Sequence, residues 1–201
     1  MADILENVSR ETIDDLRKFE ELVLKWTKKI NLVSSSDAAQ IWDRHILDSI
    51  QIYSLAEKSG DWLDIGSGGG FPGIVAAILS KGSGDERSFT LVDSDQRKCA
   101  FLRTVTREIG LDVKVLASRV EEMAPFNASV MSARAMDSLN SLLSHCERHL
   151  GEGGIALFPK GARWEQEHEL AQQNWLYSFE AVPSMTNPNA TILKIKELSR
   201  V

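Results

Sequence analysis

The chain has 201 residues, 43% of them hydrophobic, which is enough to bury the core of one α/β domain with a small appendage. The longest apolar run, "GIVAAIL", is far too short to span a bilayer, and the polar start "MADILENVSRET" predicts no secretory signal, so we expect a cytoplasmic protein. A formal net charge of −6 argues against a generic nucleic-acid binder, although it is compatible with a local basic face.

The first 58 residues predict an all-helical cap, because their apolar residues recur at helical spacing. The predicted helices cover residues 9–30, 37–46 and 47–58. Ser9 and Asp37 begin the first two, since their side-chain oxygens can accept from the free N–H groups of a first helical turn. Gly60 is expected to end the third. We therefore divide the chain into a helical cap over 1–58 and a second region over 59–201, together forming one compact unit.

Strands and helices alternate after Gly60, which predicts a parallel sheet with helices on both faces. The predicted strands cover 61–66, 88–94, 112–118, 128–134 and 155–160, and the predicted helices cover 72–80, 95–109, 137–150 and 163–173. Residues 177–185 and 189–197 predict a closing β-hairpin. This ending is typical of class I methyltransferases, so we predict a Rossmann-like α/β fold with a seven-stranded, mostly parallel sheet.

The stretch "DIGSGGGFPG", residues 64–73, contains two overlapping glycine motifs. Gly66, Gly68 and Gly70 form D-x-G-x-G-x-G, the first motif of many S-adenosylmethionine enzymes. Gly68, Gly70 and Gly73 form G-x-G-x-x-G, the dinucleotide fingerprint. Either ligand can approach the backbone closely because glycine has no Cβ, and either can use the N-terminus of the following helix.

Three features favour S-adenosylmethionine. The predicted strand ends near Ile65, so the turn begins at Gly66. Asp64 is expected at the mouth of the loop, where a carboxylate suits a methionyl ammonium and repels a pyrophosphate. No second domain remains to place a nicotinamide against a substrate. Asp93, at the end of the next strand, is predicted to bind ribose hydroxyls and fits both cofactors.

Seven segments resemble, in order, the bacterial 16S ribosomal RNA guanine-N7 methyltransferase G family, also called glucose-inhibited division protein B. They are "NLVSSSD", "RHILDS" (44–49), "DIGSGGGFPGI" (64–74), "LVDSDQRKCAFL" (91–102), "SRVEE" (118–122), "ARAMDSL" (133–139) and "FPKG" (158–161). The resemblance covers about residues 20–165, and "RHILDS" and "GGGFPGI" are its most specific parts. It implies methyl transfer from S-adenosylmethionine to N7 of one guanosine in the decoding-region loop of 16S RNA, within the small ribosomal subunit or its precursor.

The resemblance also implies a set of cofactor contacts. Those carried over from the family are Gly66, Phe71, Val120, Glu121 and Arg134, and the fold pattern adds Asp64, Gly68, Gly70 and Asp93. One departure is visible. The family usually shows Ser-Arg-Ala after its fourth strand, whereas this chain has Ala133, Arg134 and Ala135, with Ser132 one position earlier.

Arg134 and Lys160 are predicted to position the reactants, and Arg44, His45 and Lys160 to contact the RNA. Other roles stay open for all four. Arg134 could pair with Glu121 or Asp137. The stem of Lys160 could simply pass along the surface at the end of its strand. Arg44 and His45 could instead tie the cap to the core, with Asp48 as their partner.

The sequence lacks the motifs and nucleophiles of other classes of methyltransferase, which agrees with methylation at N7. There is no Asn/Asp-Pro-Pro-aromatic motif for amino-group methylation after the fourth strand. Cys99 and Cys146 fall within predicted helices, as expected for buried thiols rather than nucleophiles or ligands, and we predict no metal site. Guanine N7 carries a lone pair and no proton, so we expect catalysis by positioning, without a protein general base.

Basic residues on two predicted helices offer a rim for RNA on this acidic protein, or else an ordinary solvated face. They are Lys25, Lys28, Lys29, Arg97, Lys98, Arg103 and Arg107. Three further functions stay open: methylation of a small molecule under the helical cap, a catalytically silent S-adenosylmethionine-binding module, and a nucleotide-dependent oxidoreductase. We expect a monomer that does not bind membranes.

Overall fold

A computed structural model of the chain describes residues 3–6, 8–34, 40–57, 59–134 and 136–201. Its helices are α1 (Arg10–Thr27), α2 (Leu47–Ser54), α3 (Gly73–Ser83), α4 (Gln96–Ile109), α5 (Leu139–His149) and α6 (Trp164–Ala171). Its strands are β1 (Ser59–Ile65), β2 (Glu86–Asp93), β3 (Val113–Ala117), β4 (Ala128–Ala133), β5 (Leu150–Lys160), β6 (Trp175–Pro183) and β7 (Thr191–Arg200). Short 3-10 turns lie at Asp3–Leu5 and Val120–Glu122, and a single π-helical turn, Trp42–Ile46, directly precedes α2.

The strands form one seven-stranded sheet in the order β3-β2-β1-β4-β5-β7-β6. Neighbours among β1 to β5 are parallel, and β7 runs antiparallel to both β5 and β6. This confirms the predicted class I methyltransferase architecture with its terminal hairpin. The strand order reverses between β1 and β4, and ligands of such sheets bind beyond the carboxyl ends of the strands at this reversal.

Helix α1 shares its apolar core with the sheet. Leu16, Phe19 and Val23 on its inner face are fully buried, in the same cluster as Ile74 of α3 and Phe101 of α4. A separate apolar cluster, on the other face of the sheet, includes α5 residues and the start of β6. The division between cap and second region after residue 58 stays a prediction, but α1 packs as one of the helices that cover the sheet.

Two local predictions were wrong at glycines, because pairing between strands determines the structure at these positions. Gly60 does not end a helix but lies in β1 at φ +94°, where a Cβ would come within 2.4 Å of the Ser129 hydroxyl. The strand predicted over 155–160 begins earlier, at Leu150, so Gly154 lies in β5, where a Cβ on it would lie 2.7 Å from the Ala128 carbonyl. In both places glycine allows two strands to approach closely.

The second and third predicted helices form one continuous segment rather than two. The Leu47 N–H donates to the Trp42 carbonyl, five residues back, so the π turn passes directly into α2. Asp37, the predicted start of the second helix, lies outside the described residues. Among the helices that are described, none is long and apolar enough to cross a membrane. Cys99 and Cys146 are buried free thiols, and burial raises the pKa of both.

Candidate functional site: two cavities flanking the β1/β4 edge

The glycine loop between β1 and α3 is held against the end of β2 by a carboxylate. Asp93 accepts from the Gly68 N–H through Oδ2 and from the Asp95 N–H through Oδ1, both at 2.8 Å. The Ser67 N–H also donates to the Val92 carbonyl at 3.0 Å. The loop therefore has a fixed shape, and its geometry depends on the residue predicted to bind ribose.

A cavity of about 290 Å³ opens beside this loop. Its lining comes from the segments that follow β1, β2, β3 and β4: Gly66, Val92, Asp93, Ser94, Lys98, Ser118, Arg119, Val120, Glu121 and Met136. It brings together Gly66, Asp93, Val120 and Glu121, as the sequence predicted. Met136 was not predicted, although its place just after the β4 strand end was a usable signal.

Glycine is required at three loop positions for different combinations of positive φ and close packing. Gly66 has φ +62°, and a Cβ there would lie 2.9 Å from the Met136 side chain at the cavity wall. Gly68 also has positive φ, +50°, yet a Cβ would meet nothing closer than 3.6 Å. Gly70 has φ +88°, and its Cβ would lie 2.8 Å from Ile74 and 3.1 Å from Phe19. Gly70 is buried against α1 and α3 beneath the loop, and its contact with the cofactor stays a prediction.

Asp64 was expected at the mouth of the loop, but the structure buries it beneath the loop. Its side chain is 0% exposed, so it has no surface with which to meet a ligand ammonium. Asp64 Oδ1 accepts from Ser132 Oγ at 2.6 Å, and Ser132 Oγ in turn accepts from Trp62 Nε1 at 2.8 Å. Burial raises the pKa of Asp64 to about 6. Register explains the contact, because Asp64 and Ser132 are directly paired across β1 and β4.

The shifted serine of "SARA" therefore supports Asp64. Its hydroxyl points into the sheet core, where it is fully buried, and belongs to the Trp62–Ser132–Asp64 chain of hydrogen bonds. The departure from the family pattern thus has a structural role at the base of the glycine loop.

The carboxyl ends of the neighbouring central strands β1 and β4 form the β1/β4 edge. A second cavity, of about 340 Å³, lies on the other side of this edge. Its lining comes from the end of the α1 region, the π turn, α2, the β4 end and the hairpin turn: Leu32, Val33, Ser34, Arg44, His45, Asp48, Arg134, Thr186 and Asn187. It unites Arg44, His45 and Arg134, which the sequence predicted as substrate or positioning residues. Thr186 and Asn187 were missed, because nothing in the sequence shows that the hairpin turn reaches the cap.

Arg134 reaches the second cavity rather than the first. Its Nη1 lies 2.5 Å from His45 Nδ1, and its guanidinium carbon lies 5.0 Å from the centre of the Phe71 ring. A guanidinium only donates, so His45 accepts through Nδ1 and carries its proton on Nε2. Phe71 is 3% exposed and lies beneath both side chains, so it supports them, and its contact with the cofactor stays a prediction.

Lys160 is not among the described residues that line these two cavities, and its contact with substrate stays a prediction. Its Nζ donates to Glu167 Oε2 at 2.8 Å and to the Asp137 carbonyl at 3.0 Å. Glu167 Oε2 also accepts from the Leu139 N–H at the start of α5. Lys160 and Glu167 thus hold the start of α5 in place.

The π turn and α2 are anchored from two sides. The Arg17 guanidinium of α1 stacks over the Trp42 ring, 3.4 Å from its centre. On the other side, Asp48 Oδ1 accepts from Ser184 Oγ at 2.9 Å and from Thr186 Oγ1 at 2.5 Å. Gln51 adds two bonds to the same hairpin turn. These contacts place Arg44 and His45 firmly over the second cavity, and π turns are frequent at functional sites.

The predicted basic rim is only partly directed at these cavities. Lys98 lines the first cavity. Arg97 pairs with Asp95 at 2.8 Å, and its hydrogen bond holds the pKa of that carboxyl well below its usual range. Lys25 and Lys29 border a separate groove with Trp26 between α1 and α4.

Comparison with known proteins agrees with this geometry. The sequence profile described as "rRNA small subunit methyltransferase G" matches residues 12–193. A protein named ribosomal RNA small subunit methyltransferase G from Ruegeria pomeroyi is 49% identical, over 97% of this chain and 96% of its own length. The protein of the same name from Gluconobacter oxydans is 43% identical, over 98% of this chain and all of its own length.

Solved structures share the fold at low sequence identity. The TYW2 protein of M. jannaschii, solved in complex with AdoMet, superimposes with a TM-score of 0.61 at 11% identity, covering 87% of this chain and 80% of that one. A putative S-adenosyl-L-methionine-dependent methyltransferase from Methanococcus maripaludis gives 0.60 at 14% identity, covering 90% and 93%. The profile match and the curated relatives together show that the chain belongs to the rRNA small subunit methyltransferase G family.

Proposed function

We propose that this enzyme transfers the methyl group of S-adenosylmethionine to N7 of one guanosine in 16S RNA of the small ribosomal subunit. The observation that carries the proposal is the pair of cavities flanking the β1/β4 edge, one containing Asp93 and the other containing Arg44, His45 and Arg134. Membership of the family supports a small-subunit rRNA substrate.

The first cavity has the chemistry that S-adenosylmethionine needs. Asp93 remains 8% exposed and faces the cavity, so its free lone pairs can accept from the ribose hydroxyls. Val120 and Met136 offer apolar surface to the adenine ring, and Glu121 offers an acceptor for its amino group. Gly66 keeps the wall clear at the point where a Cβ would press on Met136.

When bound, S-adenosylmethionine supplies a methyl group on a sulfonium; the N7 lone pair forms the new bond, and the electron pair of the broken C–S bond stays on sulfur. N7 loses no proton, so no residue has to act as a base. The task of the chain is to hold the guanine in line with the methyl group. A donor aimed at N7 would block the lone pair, so Arg134 donates to the neighbouring O6.

The second cavity favours a nucleobase over a small apolar acceptor. Its wall holds Arg44, Arg134 and Asp48, together with Leu32 and Val33 from the segment after α1. Guanidinium groups bind phosphates and O6, while apolar side chains cover the faces of a base. We place the reaction in the cytoplasm, carried out by a monomer on the small subunit or its precursor, where the shape of the particle adds to recognition by an acidic protein.

The test is transfer of tritiated methyl from S-adenosylmethionine to undermethylated 30S particles, followed by nucleoside analysis. We expect stoichiometric 7-methylguanosine at one position. Naked 16S RNA in a parallel reaction distinguishes the free transcript from the assembled particle as the substrate. A different methylated nucleoside, or transfer to small acceptors without RNA, would overturn the proposal.

A further inference from the structure

We propose that Asp48 recognises the target guanine by accepting hydrogen bonds from its N1–H and its 2-amino group. The inference rests on the proposed function, and it concerns the choice of base rather than the transfer step. Guanine presents these two donors side by side on one edge, and an ionised carboxylate only accepts.

Asp48 is fixed in place and still has a free oxygen. It is half-buried in the wall of the second cavity. The hydroxyls of Ser184 and Thr186 both donate to Oδ1, which sets the rotation of the carboxylate. Oδ2 takes no hydrogen bond from any residue that the structure describes, and it is not sealed from solvent. Because Asp48 lines the cavity, this oriented acceptor has two unused lone pairs for a ligand that binds there.

One cavity brings together Arg134, His45 and Asp48, so a single guanine can contact Arg134 and Asp48 with different atoms. Arg134 follows β4, whose end pairs with the end of β1 beside the glycine loop. Arg134 contacts His45, and Asp48 lies three residues further on, on the same helical face as His45. With N7 towards the β1/β4 edge, O6 meets Arg134, and the N1 and N2 donors meet Asp48.

This arrangement rejects adenine. Adenine has a lone pair at N1, where guanine has a hydrogen, and no amino group at C2. Its N1 would face the Asp48 carboxylate acceptor to acceptor, which leaves a charged group unpaired.

The experiment compares guanosine with inosine, which lacks only the 2-amino group, at the target position of 30S particles reconstituted from ligated 16S RNA. We expect the wild-type enzyme to prefer guanosine by about 10–100-fold in kcat/KM, as for loss of a hydrogen bond to a charged group. Asp48→Asn keeps an oxygen for Ser184 and Thr186 but turns an amide donor towards the base. It should slow guanosine methylation and bring the two substrates within about threefold of each other.

Ser184→Ala is the matched control, since it weakens the anchoring of the hairpin but leaves the carboxylate, which Thr186 still holds through Oδ1. A purely structural role for Asp48 would slow both substrates equally, as we expect for Ser184→Ala. Equal wild-type rates on guanosine and inosine would overturn the inference without any variant, as would a preference retained in Asp48→Asn. If the wild-type enzyme does not methylate guanosine particles at all, the proposed function itself fails.

Discussion

Arg134 Nη1 lies 2.5 Å from His45 Nδ1, so the end of β4 and the π turn meet through two side chains 89 residues apart. Both side chains lie against the Phe71 ring at the start of α3. Three segments that the family resemblance singled out therefore converge on one point. Arg134 lines the second cavity, and the contact with the cofactor that the resemblance implies stays a prediction.

Arg134→Lys should separate these two roles. Lysine provides one point charge and cannot bond His45 and a base oxygen at once with a planar fork. We expect kcat/KM for 30S particles to fall about 10–100-fold, the cost of a lost charged hydrogen bond. The affinity for S-adenosylmethionine, measured by calorimetry, should change less than about twofold. A parallel loss of cofactor affinity would support the cofactor role.

Asp93→Ala should weaken binding of S-adenosylmethionine by about 1–3 kcal/mol, because ribose hydroxyls lose their acceptor. The same carboxylate accepts from the Gly68 and Asp95 N–H groups, so part of the loss comes from the loop. Asp93→Asn is the matched variant, since its single oxygen can keep one backbone bond. Calorimetry that shows unchanged affinity in Asp93→Ala would remove Asp93 from the site.

Gly68→Ala and Gly70→Ala should differ in which property they lower most, the stability of the fold or the affinity for the cofactor. Gly70 is hemmed in by Ile74 and Phe19, so a methyl group there strains the backbone and clashes with the core. We expect Gly70→Ala to lower the free energy of unfolding by about 2–4 kcal/mol. Gly68 has open space, so its alanine variant should lose about 1–2 kcal/mol, from positive φ alone.

Cofactor affinity completes that comparison. Gly68→Ala should bind S-adenosylmethionine more weakly while keeping a cooperative thermal transition. Gly70→Ala, in the fraction that stays folded, should bind it nearly normally. The reverse order of stabilities in thermal denaturation would show that the loop is packed differently.

The sequence was sufficient for the fold because its signals are local. Apolar runs, glycine turns and the N-cap Ser9 marked the elements, and all seven strands were anticipated. The errors concern side chains whose partners are distant in sequence. The burial of Asp64 depends on β1/β4 register and on Ser132. The hairpin turn at the second cavity likewise depends on its contact with α2.

Methyl transfer should show no limb from an enzyme base between about pH 6 and 9, because N7 carries no proton to remove. Single-turnover rates with saturating particles exclude effects of RNA docking. His45→Gln tests the nearest imidazole, since glutamine can still accept from Arg134. Its profile should be lower but parallel to that of the wild-type enzyme. An acid limb in the wild-type profile that vanishes in His45→Gln would show that His45 is a base.

Asp64 should make the protein less stable as pH rises, opposite to the usual effect of a carboxylate. Burial raises its pKa from 3.8 to about 6 in the folded state, so the folded chain holds a proton that the unfolded chain releases. This contribution is fully present below about pH 4, declines as pH rises towards 6 and is lost above it. The shift corresponds to about 3 kcal/mol.

Asp64→Asn should abolish this decline, because an amide keeps an acceptor for Ser132 and does not ionise. Urea denaturation of both proteins between pH 4 and 8 isolates the effect, since all other carboxylates are shared. Relative to wild type, the variant should gain about 2–3 kcal/mol on going from pH 4 to 7. Ser132→Ala serves as the control: its hydroxyl favours the ionised form, so its removal should steepen the decline. Parallel curves for wild type and Asp64→Asn would show that Asp64 stays ionised throughout, with the cost of its burial already offset by the surrounding donors.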